Sequence, residues 1–344
     1  MANFESLINQ QLSLNKAGLL VVDENLNPAL INSSTGWHAL TNRFDQQREL
    51  LERGWPCTFS DFVGPESFEA EVLVYRISKE KAVVNHILNL AAEQLKPGSK
   101  VILLGDKSEG IKSYAKNGQK RLGGSRDEEK IGGDSWKIEL SVGSIIGEPL
   151  DDQKYPELRE IENVGKCTLY SKPGVYGWKK IDKGSQQLIE RLPYMLETTL
   201  PLGDIRLLDL GCGSGYLTVA SCGNTTKGIA TDNNAAALIA TRHTIQQAGL
   251  NIETVVSNAG EELEPGFDLI LCNPPFHSGF GIDYDLTDRF SKQAARLLKD
   301  EGVACFVVNQ HVPLKRIASA YFHVVELDLD SNNFCTYKLQ KPKC

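Results

Sequence analysis

The chain has 344 residues, 41% of them hydrophobic and 24% charged, with a formal net charge of −7. That length suits two domains of roughly 100 to 200 residues, each with enough apolar content for its own core. The acidic balance excludes a broadly cationic nucleic-acid binder, although a local basic patch remains compatible with it.

No apolar run approaches the ~20 residues of a membrane span, and no N-terminal stretch has the layout of a signal peptide, so a cytoplasmic protein without membrane contact is expected. The eight cysteines include no C-x-x-C pair. Neither a zinc site nor a disulfide framework is expected, and no metal. Cys212, Cys272 and Cys305 fall in or beside apolar strands and read as buried small hydrophobes.

In chain order, an apolar run at Gly18 to Val22 is followed by DENLNPALIN, which has no glycine and so no cradle for a phosphate or carboxylate. A helix-like stretch runs from about Gly36 to Arg53. From Ala70 a pattern begins that recurs later. AEVLVYRISKE, a helical segment ending in LAAEQLKPGSK, and VILLGDKSEGIKSYA match FDLILCNPPF, a helix ending in AARLLKDEG, and VACFVVNQHVPLKRIASAYF. This reads as an internal duplication at domain scale. Arg76 to Ser78 then stand where NPP stands in the second copy, and the first copy keeps the fold without the catalytic loops.

Lys107, Lys112, Lys116, Lys120, Arg121 and Arg126 are opposed within their stretch only by Glu109. Spaced cations in a flexible segment suit a phosphate backbone, and a solvated face explains them equally well. The acidic run Asp127 to Glu129 limits the patch. Residues 148 to 165 are polar and acidic and read as the join, giving domains at 1–160 and 161–344.

Leu207 to Ala220, LLDLGCGSGYLTVA, reads as strand, tight glycine turn and helix. Asp232 closes a second strand, GIATD, at the spacing of a ribose-binding acid. A third strand is expected at Thr254 to Ser257, and a fourth, FDLILC, runs directly into Asn273, Pro274, Pro275 and Phe276.

This series resembles the class I S-adenosylmethionine-dependent methyltransferases of the NPPF branch, which act on planar, sp2-linked nitrogens. CNPPFHSG and the segment KPGVYGWKKIDKGSQQLIERL (Lys172 to Leu192) are similar, more narrowly, to bacterial 16S ribosomal RNA guanine-N2 methyltransferases of the small-subunit type. The resemblance implies two tandem Rossmann-like α/β domains with doubly wound, mostly parallel sheets, the N-terminal one degenerate and serving RNA binding or stability. It implies S-adenosylmethionine as cofactor, ribosomal RNA within the small subunit as partner, and a monomer.

Residue by residue, the resemblance places Gly211, Gly213 and Gly215 against the methionine and ribose portions of the cofactor. It sets Asp209 toward the amino group, Asp232 on the ribose hydroxyls and Asn258 toward the adenine, where relatives often carry aspartate. The Asn273 side-chain oxygen and the Pro274 carbonyl would polarise an exocyclic amine, Pro275 would stiffen the loop, and Phe276 would stack on the base. Asn273 counts for the cofactor as well as the acceptor. Tyr176, Asp182, Gly184 and Ser185 would cover the cofactor, and Lys179, Lys180 and Lys183 would add charge at the substrate entrance. NPPF alone leaves open a 23S guanine, a DNA adenine or a glutamine amide, and a non-catalytic RNA-binding scaffold is the reading from another class.

Overall fold

The computed structural model describes residues 3–63, 70–275, 277–278, 281–282 and 284–343. The chain falls into two units, Met1–Pro156 and Glu157–Cys344.

Unit 1 runs α1 (Phe4–Leu14), β1 (Gly18–Val22), β2 (Trp37–Thr41), α2 (Phe44–Glu52), β3 (Cys57–Phe59), β4 (Val72–Arg76) and α3 (Lys81–Gln94). It continues with β5 (Lys100–Asp106), α4 (Ile111–Leu122), β6 (Gly123–Gly132) and β7 (Ser135–Val142). The sheet order is β3-β2-β1-β4-β5-β7-β6. Neighbours from β3 to β5 are parallel, and β7 lies antiparallel to both β5 and β6.

The centre follows from composition. β1 (GLLVV) and β4 (VLVYR) are buried at every position, as central parallel strands covered on both faces must be. Alternate residues feed two cores: Leu19, Val21, Leu73 and Tyr75 on one side, Leu20, Val22, Val72 and Val74 on the other.

Two expectations need correction. The helix expected over 36 to 53 is half strand: WHALT pairs with β1 and β3, and α2 begins only at Phe44. Ladder pairing and the burial of Trp37, Ala39 and Leu40 override the local pattern. The basic stretch expected to be flexible is a short 3-10 turn, α4 and the start of β6. The buried apolar face of α4 is Ile111, Ala115, Gly118 and Leu122, small or medium residues at helical spacing among polar ones, with Tyr114 partly buried beside them. β6 (GGSRDEEKIG) is an edge strand, where charge discourages pairing with other chains.

Unit 2 opens with an antiparallel hairpin, β8 (Arg159–Val164) and β9 (Cys167–Ser171), so the acidic stretch at 148 to 165 carries a strand. Next come α5 (Lys183–Leu196), β10 (Arg206–Leu210), α6 (Tyr216–Ser221), β11 (Lys227–Asp232), α7 (Ala235–Ala248), β12 (Asn251–Val256) and β13 (Phe267–Cys272). The rest is β14 (His277–Ser278), β15 (Gly281–Ile282), α8 (Tyr284–Leu297), β16 (Leu298–Asn309), α9 (Leu314–Ala318), β17 (Phe322–Asp330) and β18 (Phe334–Pro342). β14 and β15 pair with each other.

The large sheet is ordered β12-β11-β10-β13-β16-β18-β17, the same permutation as in unit 1. Its fifth strand, β16, again meets an antiparallel final strand, β18. Leu208, Leu210, Ile270 and Phe306 pack on one face, and Leu207, Leu269, Leu271 and Val307 on the other. α7 lays Ala235, Ala236, Ala237 and Ala240 against its surroundings, small side chains that allow close approach.

Ile270 is fully buried in central β13. Ile270→Ala should destabilise unit 2 by about 2 to 5 kcal/mol, read as a lower urea midpoint; an unchanged midpoint would mean that this core collapses around the gap.

Candidate functional site

In an open α/β sheet, ligands settle beyond the carboxyl ends of the strands, at the point where strand order reverses. In unit 2 that point lies between β10 and β13. β10 ends in Asp209 and Leu210, and the chain turns into α6 through Gly211, Gly213 and Gly215 with φ of 83°, 55° and 84°. These left-handed angles disfavour a side chain. At Gly213 a Cβ would also meet nothing within 4 Å, so the turn is open on that side.

Asp209 is fully buried. Its Oδ2 accepts hydrogen bonds from the Thr218 backbone N–H at 3.1 Å and the Thr218 hydroxyl at 2.7 Å, whereas Oδ1 has no hydrogen-bond partner. Burial pushes the carboxyl up to about 7, against the lowering effect of the Thr218 bonds and with a further rise from Asp232. Asp232, half-buried at the end of β11, accepts the Gly213 N–H on Oδ2 at 3.0 Å and the Asn234 N–H on Oδ1 at 2.9 Å. Asn234 caps α7 through the Ala236 N–H and donates to the Gly174 carbonyl at 3.0 Å. Asn258 is buried, its amide spanned by long contacts of 3.4 Å to Glu261 and Arg289.

On the acceptor side, Asn273 directly follows β13. Its Nδ2 donates to Asp182 Oδ2 and to Ser185 Oγ, each at 2.9 Å. Asp182 is the N-cap of α5, and the same Oδ2 accepts the Ser185 N–H at 2.9 Å. At Gly184 the space is tight: a Cβ there would stand 3.0 Å from Asp182 Oδ2 and 3.1 Å from the Phe334 ring, so a neighbour would have to give by a few tenths of an ångström. Pro274 is buried and Pro275 exposed; Phe276 lies outside the described residues. Tyr176, expected as a cover, is 76% exposed. The motif gave no sign that Lys172 would be buried, with Nζ donating to the Pro173 carbonyl at 3.2 Å, nor that Asp182 and Ser185 would grip Asn273. An acid capping a helix shortly after KPGVYG was the readable signal.

The residues present fit the methionine–ribose half of S-adenosylmethionine. A buried carboxylate oxygen without a donor suits an ammonium group, directly or through water; a glycine turn open on one side admits a chain; a half-buried carboxylate beside it suits a diol. A cavity lined by Asp204, Arg206, Lys227, Glu253 and Asp268 lies at the opposite, amino-terminal ends of these strands, away from this arrangement.

The expected RNA-contacting cations divide. Arg121 is withdrawn from that set: it is 3% exposed, and its guanidinium is spent on Asn89, Glu93 and the Gly147 carbonyl. Lys112 and Arg126 both reach Glu128, at 2.8 and 3.2 Å, and Lys112 also lies over the Trp136 ring. Lys107, Lys116 and Lys120 are exposed. In unit 2, Lys179 and Lys180 are exposed, and Lys179 and Arg159 lie 5.1 and 4.9 Å from the centre of the Trp178 ring.

In unit 1, strand register sets Asn42 level with Asp232 and Ile77 level with Asn273. Arg76 therefore matches Cys272, one position earlier than expected from sequence. It forms a buried bidentate pair with Glu109, both contacts at 2.6 Å. Among the described residues, no group of three or more His, Cys, Asp or Glu is arranged to hold a metal ion. No helix among them is long and apolar enough to cross a membrane.

Comparison with known proteins gives a concordant picture. Residues 166–338 match the family Methyltransferase small domain, and residues 6–123 match Methyltransferase small domain N-terminal. The chain is 27% identical over 312 residues to the Ribosomal RNA small subunit methyltransferase C of Shewanella loihica, covering 87% of this chain and 85% of that one. It is 28% identical over 289 residues to the protein of the same name from Hahella chejuensis, covering 81% and 80%. The solved structure of the T. thermophilus 16S rRNA N2 G1207 methyltransferase (RsmC), in complex with AdoMet and guanosine, superposes with a TM-score of 0.81. It covers 97% of this chain and 92% of its own at 21% identity, a likeness of fold.

The Asp209 carboxyl titrates near 7 when folded and near 3.8 when unfolded. Between those values the folded chain binds more protons, so this group's contribution to stability is full below the lower value and is lost as pH rises through the upper one. Asp209→Asn removes that dependence. Urea titrations across the window should show the native chain losing up to ~1.4 kcal/mol per pH unit relative to the variant. Parallel curves would mean that this carboxyl titrates normally.

Proposed function

We propose that this chain, which belongs to the Methyltransferase small domain family, transfers a methyl group from S-adenosylmethionine to the exocyclic N2 amine of a guanine in small-subunit ribosomal RNA. The observation that carries the reading is the Asn273 amide, pinned by its NH2 end beside the glycine turn. Similarity to small-subunit ribosomal RNA methyltransferases over most of the chain supports the substrate class.

When bound, S-adenosylmethionine supplies an activated methyl group that leaves its sulfonium as a nucleophile attacks in line. Asp232 holds the ribose hydroxyls, Asp209 offers its second oxygen to the amino group, and the Gly211 to Gly215 turn lets the backbone lie against both. Asn258 faces the adenine. The guanine amine is a poor nucleophile because its lone pair is delocalised into the ring. The Asn273 Oδ1 and the Pro274 carbonyl accept hydrogen bonds from its two N–H groups, which raises electron density on nitrogen and aims it at the methyl; once the N–C bond has formed, the nitrogen sheds one proton to water. A base in this position has left its helix, so the target is flipped or single-stranded. Unit 1 keeps the fold without the two loops and contributes RNA contact through Lys107, Lys116 and Lys120, with Lys179 and Lys180 near the acceptor. The enzyme works in the cytoplasm as a monomer and needs no metal.

Labelled methyl should pass to small-subunit particles or their RNA from cells lacking this gene, and digestion should yield N2-methylguanosine. Label confined to large-subunit RNA or DNA would overturn the substrate. Asn273→Ala should abolish transfer while cofactor affinity measured by calorimetry is retained; loss of both together would make the residue structural. Changing Lys107, Lys116 and Lys120 to alanine should lower the slope of log affinity against log salt by roughly 2 to 3. An identical slope would remove these lysines from the RNA surface.

A further inference from the structure

Asn273 is useful to an amine only if it presents its oxygen, and an amide can turn either end outward. What decides the matter is not on its own strand. Of the two groups facing its Nδ2, the Ser185 hydroxyl can accept or donate and so tolerates either end. The Asp182 carboxylate can only accept. With Oδ2 at 2.9 Å, the reversed amide would set oxygen against oxygen.

We propose that Asp182 is a positioning residue that fixes the Asn273 amide with its NH2 inward, so that Oδ1 is turned away from Asp182 toward the acceptor amine. The inference rests on the guanine-N2 reading above and extends it to a residue 91 positions away in the chain. Asp182 is itself immobilised. The oxygen that meets Asn273 also caps α5 through the Ser185 N–H. α5 is anchored by fully buried Leu188 and Leu192, by Gln187 donating to the Phe334 carbonyl, and by Arg191 paired with Asp328 at 2.9 Å. Both bonds converge on one oxygen, so the requirement is for an acceptor at that point and not for a negative charge.

Two substitutions separate this role from helix capping. Serine caps as well as aspartate but is too short to keep the Asn273 contact, whereas asparagine keeps both the cap and an oxygen in place. In the full-length protein, Asp182→Ser should lower kcat roughly 10- to 100-fold, the scale of a small misplacement at a reacting centre. Cofactor affinity by calorimetry and the thermal midpoint should stay at native values. Asp182→Asn should restore kcat to within a few-fold of native.

Full kcat in Asp182→Ser while Asn273→Ala is inactive would overturn the proposal and spare the guanine-N2 reading. So would a matching loss of cofactor affinity, which would make Asp182 a cofactor ligand, or Asp182→Asn as slow as Asp182→Ser, which would make the charge the requirement. An active Asn273→Ala enzyme would overturn the underlying reading itself.

Discussion

Two hydrogen bonds from Thr218 to one oxygen of the buried Asp209 carboxylate close the turn between β10 and α6, and the carboxyl edge of the sheet is laid out from that closure. The turn so held presents the Gly213 N–H to Asp232; Asp232 receives Asn234; Asn234 reaches Gly174 in the segment ahead of α5. That segment leads to Asp182, which grips Asn273 after β13. Parts of the chain far apart in sequence are thus tied by short polar contacts. The cost sits at Asp209, where one carboxylate oxygen is buried without a donor. Such a deficit at a ligand-binding edge is where folds tend to store free energy for function.

The two units share one strand permutation and resolve the same edge differently. In unit 1 the position of Asp209 is taken by Val21, within the continuous apolar run of β1. The end of the fourth strand is closed by the Arg76–Glu109 pair, both side chains less than a tenth exposed. An ion pair buried this far contributes little net stability over an apolar filling, but losing either partner would strand a charge. Unit 1 thus fills the end of its fourth strand from within its own chain, although Asp23 Oδ2 after β1 and Asn42 Oδ1 after β2 stay buried without a hydrogen-bond partner, as Asp209 Oδ1 does in unit 2.

The parts legible in the sequence were those where one segment carries its own signal. Central parallel strands are covered on both faces, so GLLVV, the VLVY of β4 and the LILC of β13 stand out as continuous apolar runs. The glycine turn declares itself because three left-handed angles within five residues have few other solutions. The β2 strand was hidden because WHALT is short and stands two residues ahead of a helix. α4 was hidden because its core face is four small or medium residues in a cationic setting, and the same setting disguised Arg121 as a surface charge. The grip on Asn273 was readable only as far as its capping acid, Asp182. A contact across 91 residues depends on where the fold brings α5, which no local pattern encodes.

The orientation of the Asn273 amide also bears on how many methyl groups one amine receives. An oxygen-only face, joined by the Pro274 carbonyl, asks the incoming nitrogen for two hydrogens. An unmodified guanine supplies both, whereas after one turnover the nitrogen has a single hydrogen left and a methyl group where the second donor was. Rebinding that product would leave one acceptor desolvated and unmet, a penalty of about 1 to 3 kcal/mol before any steric cost. On the function proposed here, the hydrogen-bond inventory that activates the first transfer also opposes a second, so the enzyme counts to one without a separate editing step.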